Sequence, residues 1–265
     1  MEKQTMPVIF VGHGSPMNAI EDNEFTRAWE KLGKRLPRPK AILVVSAHWF
    51  VSETCTNDRE SPKVINDMYG FPKELYEINY AAPGAPWVAD CLLKLLEGNI
   101  KINNLWGIDH GTWSVLAKMY PDKDIPVIQL SINYTLSPIE HYRIGQLLKD
   151  LRDQGVLIIG SGNIVHNLMM VDWYNQNSGF VWAESFDALV KNYIIEGEDE
   201  KLIDYPNLSQ DARYAIPTPD HYLPLLYVLG ARDKDDFIEV FNEKRVMGSL
   251  SMTSYIFWPK SYLYQ

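Results

Sequence analysis

The sequence predicts an α/β fold: a single domain over residues 1–265 whose central, mainly parallel (mixed) sheet is flanked by helices on both faces, with antiparallel carboxy-terminal strands. Three observations lead there. Runs rich in Val and Ile, apolar at successive positions, recur through the first 165 residues, as in strands covered on both faces. Segments with the longer apolar period of amphipathic helices alternate with them. No repeat, low-complexity tract or Ser/Gly-rich linker divides the chain.

The first strand is "PVIFVG" (7–12), and "EDNEFTRAWEKLGKRL" (21–36) supplies the first amphipathic helix. The strand "AILVVSA" (41–47) and the helix "PWVADCLLKLLEG" (86–98) follow. A helix in "TWSVLAKMY" (112–120) precedes the strand "IPVIQLSI" (125–132). The helix signal is clearest in "SPIEHYRIGQLLKDLRDQG" (137–155), where Ser137 stands as N-cap and Pro138 takes the first helical position. Glu140 completes a capping box, and Gly155 provides the stop before the strand "VLIIGSG" (156–162). "FVWAESFDALVKNYIIEG" (180–197) and "HYLPLLYVLGA" (221–231) read as further helices. The segment 236–258 reads as two strands joined by a polar connection, an antiparallel addition to the sheet.

Composition excludes several function classes. At 46% hydrophobic and 22% charged residues the chain is an ordinary globular protein. A formal charge of −9 leaves no basic stripe to neutralise phosphates, so nucleic acid is not an expected partner. "MEKQTMPVIF" lacks the apolar core and cleavage site of a signal peptide, and no apolar run approaches a membrane span. A cytoplasmic location without membrane association is the expectation. Cys55 and Cys91 lack a C-x-x-C partner, and Cys91 falls among the apolar positions of the helix 86–98, which argues against a disulfide or thiolate metal site.

The histidines carry the functional signal. His13 follows the strand 7–12, His48 follows the strand 41–47, and His166 comes shortly after the strand at 156, so all three stand near carboxyl ends of strands. Open α/β sheets place their ligands at those ends. His110 in "GIDHGTW" precedes a helix, and His221 in "PTPDHYLPL" sits on a proline-stiffened approach to one. Only His141 lies mid-helix. Glycines on both sides of His13 let the chain turn sharply and bring the imidazole close to another object. A metal ion suits several converging neutral imidazoles. The G-x-G-x-x-G, P-loop, H-E-x-x-H and G-x-S-x-G motifs are all missing.

Taken together, "GHGSPMN", "VVSAHWF", "DHGTWSVL", "GSGNIVHNL" and "PTPDHYLPLLYVLGA" resemble the class III extradiol ring-cleavage dioxygenase family, in its DOPA 4,5-dioxygenase branch. The resemblance runs from residue 7 to the last strand. It implies one α/β domain with a metal at the mouth of a pocket. By that resemblance His13, His48 and His221 match metal ligands. His166 matches a histidine beside the metal, either a fourth ligand or the acid/base, and His110 matches one facing the substrate pocket. Such oxygenases usually hold Fe(II) with two histidines and a carboxylate. Here the third position falls on His221, with Asp220 beside it as the carboxylate alternative.

The implied cofactor is one divalent metal ion, iron as Fe(II) for oxygenase activity, although the same histidines would also accept zinc. The implied partners are a small-molecule catechol such as DOPA and O2, and the implied product is a ring-opened semialdehyde. In that scheme His166 removes a phenolic proton, and His110 donates a proton or hydrogen bond to the oxygen-derived ligand. Two other readings stand beside it, a zinc-dependent hydrolase on the same histidines and a non-catalytic metal-binding relative. Unbroken polar motifs weigh against the second. Trp49 beside His48 and Tyr222 beside His221 favour a flat ring as substrate over the first.

Overall fold

The computed structural model of the chain describes residues 5–264. Its elements begin with β1 (Val8–Gly12), α1 (Glu24–Arg35), β2 (Ala41–Val51), β3 (Cys55–Thr56), α2 (Lys73–Tyr76), α3 (Pro86–Leu95), β4 (Lys101–Ile102) and α4 (His110–Met119). There follow β5 (Val127–Asn133), α5 (Pro138–Leu148), β6 (Val156–Gly162), α6 (Val181–Glu196), α7 (Asp199–Ile203), α8 (Ala212–Ala215) and α9 (Leu223–Ala231). The chain ends in β7 (Phe237–Phe241), β8 (Arg245–Val246), β9 (Leu250–Ser251) and β10 (Ser254–Trp258).

Successive strand side chains face opposite ways, so strands apolar at every position need cover on both sides. Val8, Phe10, Leu43, Val45, Ile158 and Ile128 pack on one face against α3, α5, α6 and α9. Ile9, Val11, Ile42, Val44, Leu157 and Val127 pack on the other against Trp29 and Leu32 of α1 and Trp113 and Leu116 of α4. The predicted two-faced sheet is thus the observed one. Its centre is parallel in the order β5-β2-β6-β1, with antiparallel β10 and β7 beyond β1 and the short β3 and β4 at the other edge.

Four expectations change in detail. The segment 236–258 holds β7 and β10 as the two sheet strands, but its polar connection folds into the β8–β9 hairpin. The cause is tertiary: Arg245, Ser251 and Thr253 all bond the buried Asp187 of α6. Strand β2 runs on through His48 to Val51, with a register shift against β5 between Val45 and Phe50. Helix α4 begins at His110 rather than after it, because the Asp109 side chain caps it by accepting from Thr112 N at 3.1 Å. The helix that starts with the predicted Ser137–Glu140 capping box is α-helical to Leu148 and then narrows to a 3-10 segment, which Gly155 ends with φ of 88°.

Helix α9 is buried on every side, which suits an apolar sequence without a polar face. It lies close to α5 because both offer glycine at the crossing: a Cβ on Gly145 would stand 2.3 Å from Tyr227 O, and one on Gly230 2.1 Å from Tyr142 O. Cys55 is buried, Cys91 is half-buried, and both are free thiols. Among the described residues no helix is long and apolar enough to cross a membrane.

His141 sits in the same α5–α9 contact, fully buried, with Nδ1 2.9 Å from the Tyr227 hydroxyl. Burial pushes its pKa down to about 4. The unfolded chain takes up this proton near the ordinary value of 6.5, whereas the folded chain refuses it down to about 4, so stability falls as pH drops through that window. His141→Gln removes the effect. Urea unfolding should show the wild type losing about 2 kcal/mol more than the variant between about pH 7 and about pH 5. Parallel pH dependences would contradict it.

Candidate metal centre

Strand β6 lies between β1 and β2, and the ladders pair Gly12 with Gly162 and Ser46 with Ser161. Three parallel strands therefore reach one level together, and the residues that follow them share a rim. His13 leaves β1 there. A Cβ on Gly12 would stand 2.7 Å from the Met252 carbonyl carbon, and Gly14 has φ of 61°, so the two glycines serve close approach and turn respectively. Asn18 Nδ2 donates to the His13 carbonyl at 3.1 Å and fixes the turn.

Each ring is held from behind. His13 Nδ1 lies 3.0 Å from Ser161 Oγ, and that hydroxyl donates its own hydrogen to Gly111 O at 2.6 Å. Ser161 therefore accepts from His13 Nδ1–H, which leaves the Nε2 lone pair free. His48 Nδ1 lies 3.2 Å from Asp67 Oδ2, and His221 Nδ1 contacts Asp220 Oδ2. Each of the three is left with Nε2 to present. The His13 and His48 Nε2 atoms face one another at 3.2 Å, and His221 Nε2 is buried without a protein partner. The His221 ring centroid is 5.2 Å from each of the other two.

This arrangement fits a divalent cation. Nδ1 tied to an oxygen acceptor and Nε2 turned inward is the usual posture of metal-ligating histidine. Burial pushes His13 and His221 well below the ordinary imidazole pKa, with the neighbouring imidazoles adding to the effect, so both rings stay neutral with lone pairs to give. Burial would lower His48 too, but the Asp67 contact and the charges of Asp109, Asp67 and Asp220 outweigh it and raise the value. Asp67 is held far below the ordinary carboxylate range: burial opposes ionisation, and the His110 and His48 contacts overcome it.

The other two rim histidines stand differently. His110, the first residue of α4, brings its ring centroid to 3.8 Å from His48, and ring nitrogens of His13, His48 and His110 lie within 4.8 Å of one another. His166 groups instead with Asp220 and His221, stacked on the His221 ring at 3.4 Å and 7°. Its backbone is pinned by His166 N to Ala215 O at 2.9 Å and Asn167 N to Ser249 O at 3.1 Å. Burial pushes its pKa down to about 4. The structure thus brings His13, His48, His110, His166 and His221 to one rim, and it leaves His141 far behind in the α5–α9 core.

Residues outside the sequence-based set support this rim. Asp109 is fully buried and accepts from Ser46 Oγ at 2.8 Å, Gln129 Nε2 at 2.7 Å and Trp106 Nε1 at 3.2 Å. Its position as an N-cap ahead of "TWSVL" was a usable signal. Ser161, in the "GSG" that ends β6, was another. Asp67 lies in a segment without periodicity, and nothing in the sequence marks it.

A doubly wound sheet with an imidazole cluster at its carboxyl rim defines an α/β protein built to hold a metal ion. The family model for the catalytic LigB subunit of aromatic ring-opening dioxygenase matches residues 7–258, and the chain belongs to that family. It is 48% identical over 260 residues to the 4,5-DOPA dioxygenase extradiol of Escherichia coli K12, covering 96% of this chain and 95% of that one. It is 36% identical to the protein of the same name from Beta vulgaris, covering 97% and 98%. A crystal structure of an uncharacterized Escherichia coli K12 protein superposes with a TM-score of 0.84 at 44% identity, covering 95% of this chain and 99% of that one. The chain is therefore a metal-dependent extradiol dioxygenase that opens an aromatic ring with O2, and the hydrolase and non-catalytic readings are not favoured.

One substitution tests how the rim is seated. A Cβ on Gly162 would stand 2.1 Å from the carbonyl oxygen of His221, whose partner is Asn163 N at 2.9 Å. Gly162→Ala must push the 219–224 segment outward, at a cost of about 1–3 kcal/mol for overpacking. Thermal unfolding should show that loss, and unchanged stability would contradict the contact.

Proposed function

We propose that the chain cleaves the ring of a catechol such as DOPA at the 4,5-position, with iron as Fe(II), yielding a semialdehyde. The observation that carries this reading is the convergence of the His13, His48 and His221 rings, each with an oxygen acceptor at Nδ1, with the His13 and His48 Nε2 atoms 3.2 Å apart and the His221 Nε2 buried without a protein partner. These three hold the metal, and His166, stacked on His221, stands beside it as a fourth ligand or as the acid/base. Bound Fe(II) supplies redox coupling between an electron-rich ring and O2, which Zn(II) with its fixed oxidation state does not. Asp220 occupies the Nδ1 side of His221 and supports that ring from behind. The relatives' name supports DOPA as substrate.

The proton work falls to the remaining imidazoles. His166 is neutral at neutral pH and offers a lone pair to a phenolic proton. The charge it then carries faces Asp220 in the same cluster. His110 has Asp67 Oδ2 2.9 Å from its Nδ1 and its ring 3.8 Å from that of His48, a place from which it would donate a hydrogen bond or proton to the oxygen substrate. Trp49 is buried next to His48, where it stacks on Trp106 at 6.2 Å, and Tyr222 is buried in the core, so neither supports the flat-ring expectation drawn from their place in the sequence.

Two measurements test the proposal. Metal-free protein, loaded anaerobically with Fe(II) or Zn(II), mixed with DOPA and then exposed to air, should form a yellow ring-opened product with O2 uptake in the iron sample only. Zinc-dependent ester hydrolysis without O2 consumption would overturn it. Elemental analysis of variants assigns the roles: His13→Ala and His48→Ala should lose bound metal, whereas His110→Ala should keep it and turn over roughly 100-fold to 10,000-fold more slowly. Stoichiometric metal in His13→Ala removes that residue from the ligand set.

A further inference from the structure

We infer that Asp67 is a positioning residue that sets two histidines with one carboxylate, His48 on the metal side and His110 on the substrate side. The metal half of this inference rests on the ligand reading above. Asp67 Oδ2 lies 3.2 Å from His48 Nδ1 and 2.9 Å from His110 Nδ1, while Oδ1 accepts the His110 backbone N–H at 3.0 Å. An ionised carboxylate has about four lone-pair sites and no donor, so it can accept from both rings and the backbone at once. Both imidazoles are thereby left with Nε2 to present. Both ring contacts are short but neither is aligned as a hydrogen bond, so the carboxylate holds the rings at close range rather than locking them at an ideal angle.

The segment that carries Asp67 has little regular structure of its own, yet it is built into the fold. Val64 forms a parallel bridge with Ile108, Ile65 N donates to Ile108 O at 2.8 Å, and Ile108 N donates to Lys63 O at 2.7 Å. Trp113 Nε1 of α4 donates to Ile65 O at 3.0 Å. Gly107 permits the approach, for a Cβ there would stand 2.0 Å from Lys63 O. These bonds lay the residues ahead of Asp67 along the lead into α4. The carboxylate therefore reaches the start of that helix and the end of β2 together, and its side chain is only 12% exposed.

An amide in the same place cannot hold both rings as they stand. Asparagine has one acceptor oxygen and an NH2 donor; the His110 backbone N–H can only donate and so keeps the oxygen, and the NH2 then faces both Nδ1 atoms, whose rings have to turn or change tautomer. Second-layer partners of this kind are worth about 10–100-fold in metal affinity.

The test uses the full chain, metal-free and zinc-loaded, as wild type, Asp67→Asn and Asp67→Ala. Zinc titration calorimetry reads affinity, and long-range proton–nitrogen correlation of 15N-histidine protein reads which ring nitrogen carries hydrogen. In the wild type His48 and His110 should both carry a proton on Nδ1. In the variants zinc should bind about 10–100-fold more weakly, and the Nδ1 proton of at least one of the two rings should be lost. Wild-type affinity in a folded variant overturns the inference, as does weakened affinity with both Nδ1 protons kept, which a merely structural role would give. Should Asp67→Ala fail to fold, the isosteric Asp67→Asn decides. A wild type that binds no zinc overturns the ligand reading instead, and the Nδ1 protons of the metal-free protein still judge Asp67.

Discussion

The structure of this rim depends on the oxygen acceptor that stands behind three of its imidazoles. Buried rings with lone pairs turned toward one another are unfavourable, and an unrestrained ring would rotate to satisfy its nitrogens elsewhere. Ser161 behind His13, Asp67 behind His48 and Asp220 behind His221 remove that freedom by taking the Nδ1–H of each. The three acceptors come from three separate parts of the chain: the end of β6, the segment after β3, and the lead into α9. They meet the rings only because the parallel ladder sets Gly12, Gly162, Ser46 and Ser161 at one level. Register in the sheet is therefore upstream of chemistry at the rim, and a one-residue slip would turn Ser161 to the wrong face.

The five residues "DHGTW" show how densely the site uses its backbone. Asp109 caps α4 and holds Ser46, whose hydroxyl also receives His48 N at 3.3 Å. His110 turns its ring toward His48 and Asp67. Gly111 leaves room for the His48 ring, since a Cβ there would stand 2.7 Å from His48 Cδ2, and its carbonyl takes the Ser161 hydrogen. Thr112 N closes the cap, and Trp113 binds the segment leading to Asp67. One helix start thus connects the supports of His13, His48 and His110, which explains why the family likeness is carried by short polar runs rather than by the apolar strands.

Much of this was legible in the sequence. The strands β1, β2, β5 and β6 were visible because burial on both faces demands apolar residues at every position, and α5 because Ser137 and Glu140 form a capping box. His13, His48 and His166 were visible because strand ends in a parallel sheet share one side, whereas His110 at the start of α4 and His221 just ahead of α9 were read from the resemblance of their motifs. Features fixed by distant partners were not. The β8–β9 hairpin depends on Asp187, which comes from α6, and β2 runs past Ala47 only because β5 resumes pairing at Phe50. Asp67 was invisible for the same reason: its partners are His48 and His110, and nothing in its own neighbourhood announces them. His166 shows a third kind of limit. Sequence order put it after a strand like the others, whereas the loop pinned by Ala215 and Ser249 stacks it on His221 and away from the trio around His48.

The placement of the carboxylates has a consequence for binding. With His13, His48 and His221 as proposed ligands, every donor is neutral, and a divalent ion keeps its full charge toward whatever enters the open positions. A catechol that has lost a phenolic proton is an anion, so this undiminished charge favours its two oxygens over neutral water. Asp67 and Asp220 sit one imidazole further out, where they orient the His48 and His221 rings and are not themselves members of that ligand set. A carboxylate moved inward in place of His221 would cancel part of that charge and strip His221 of its support. The proposed all-histidine set, with carboxylates behind it, would thus combine fixed ring geometry with strong attraction for an anionic ring.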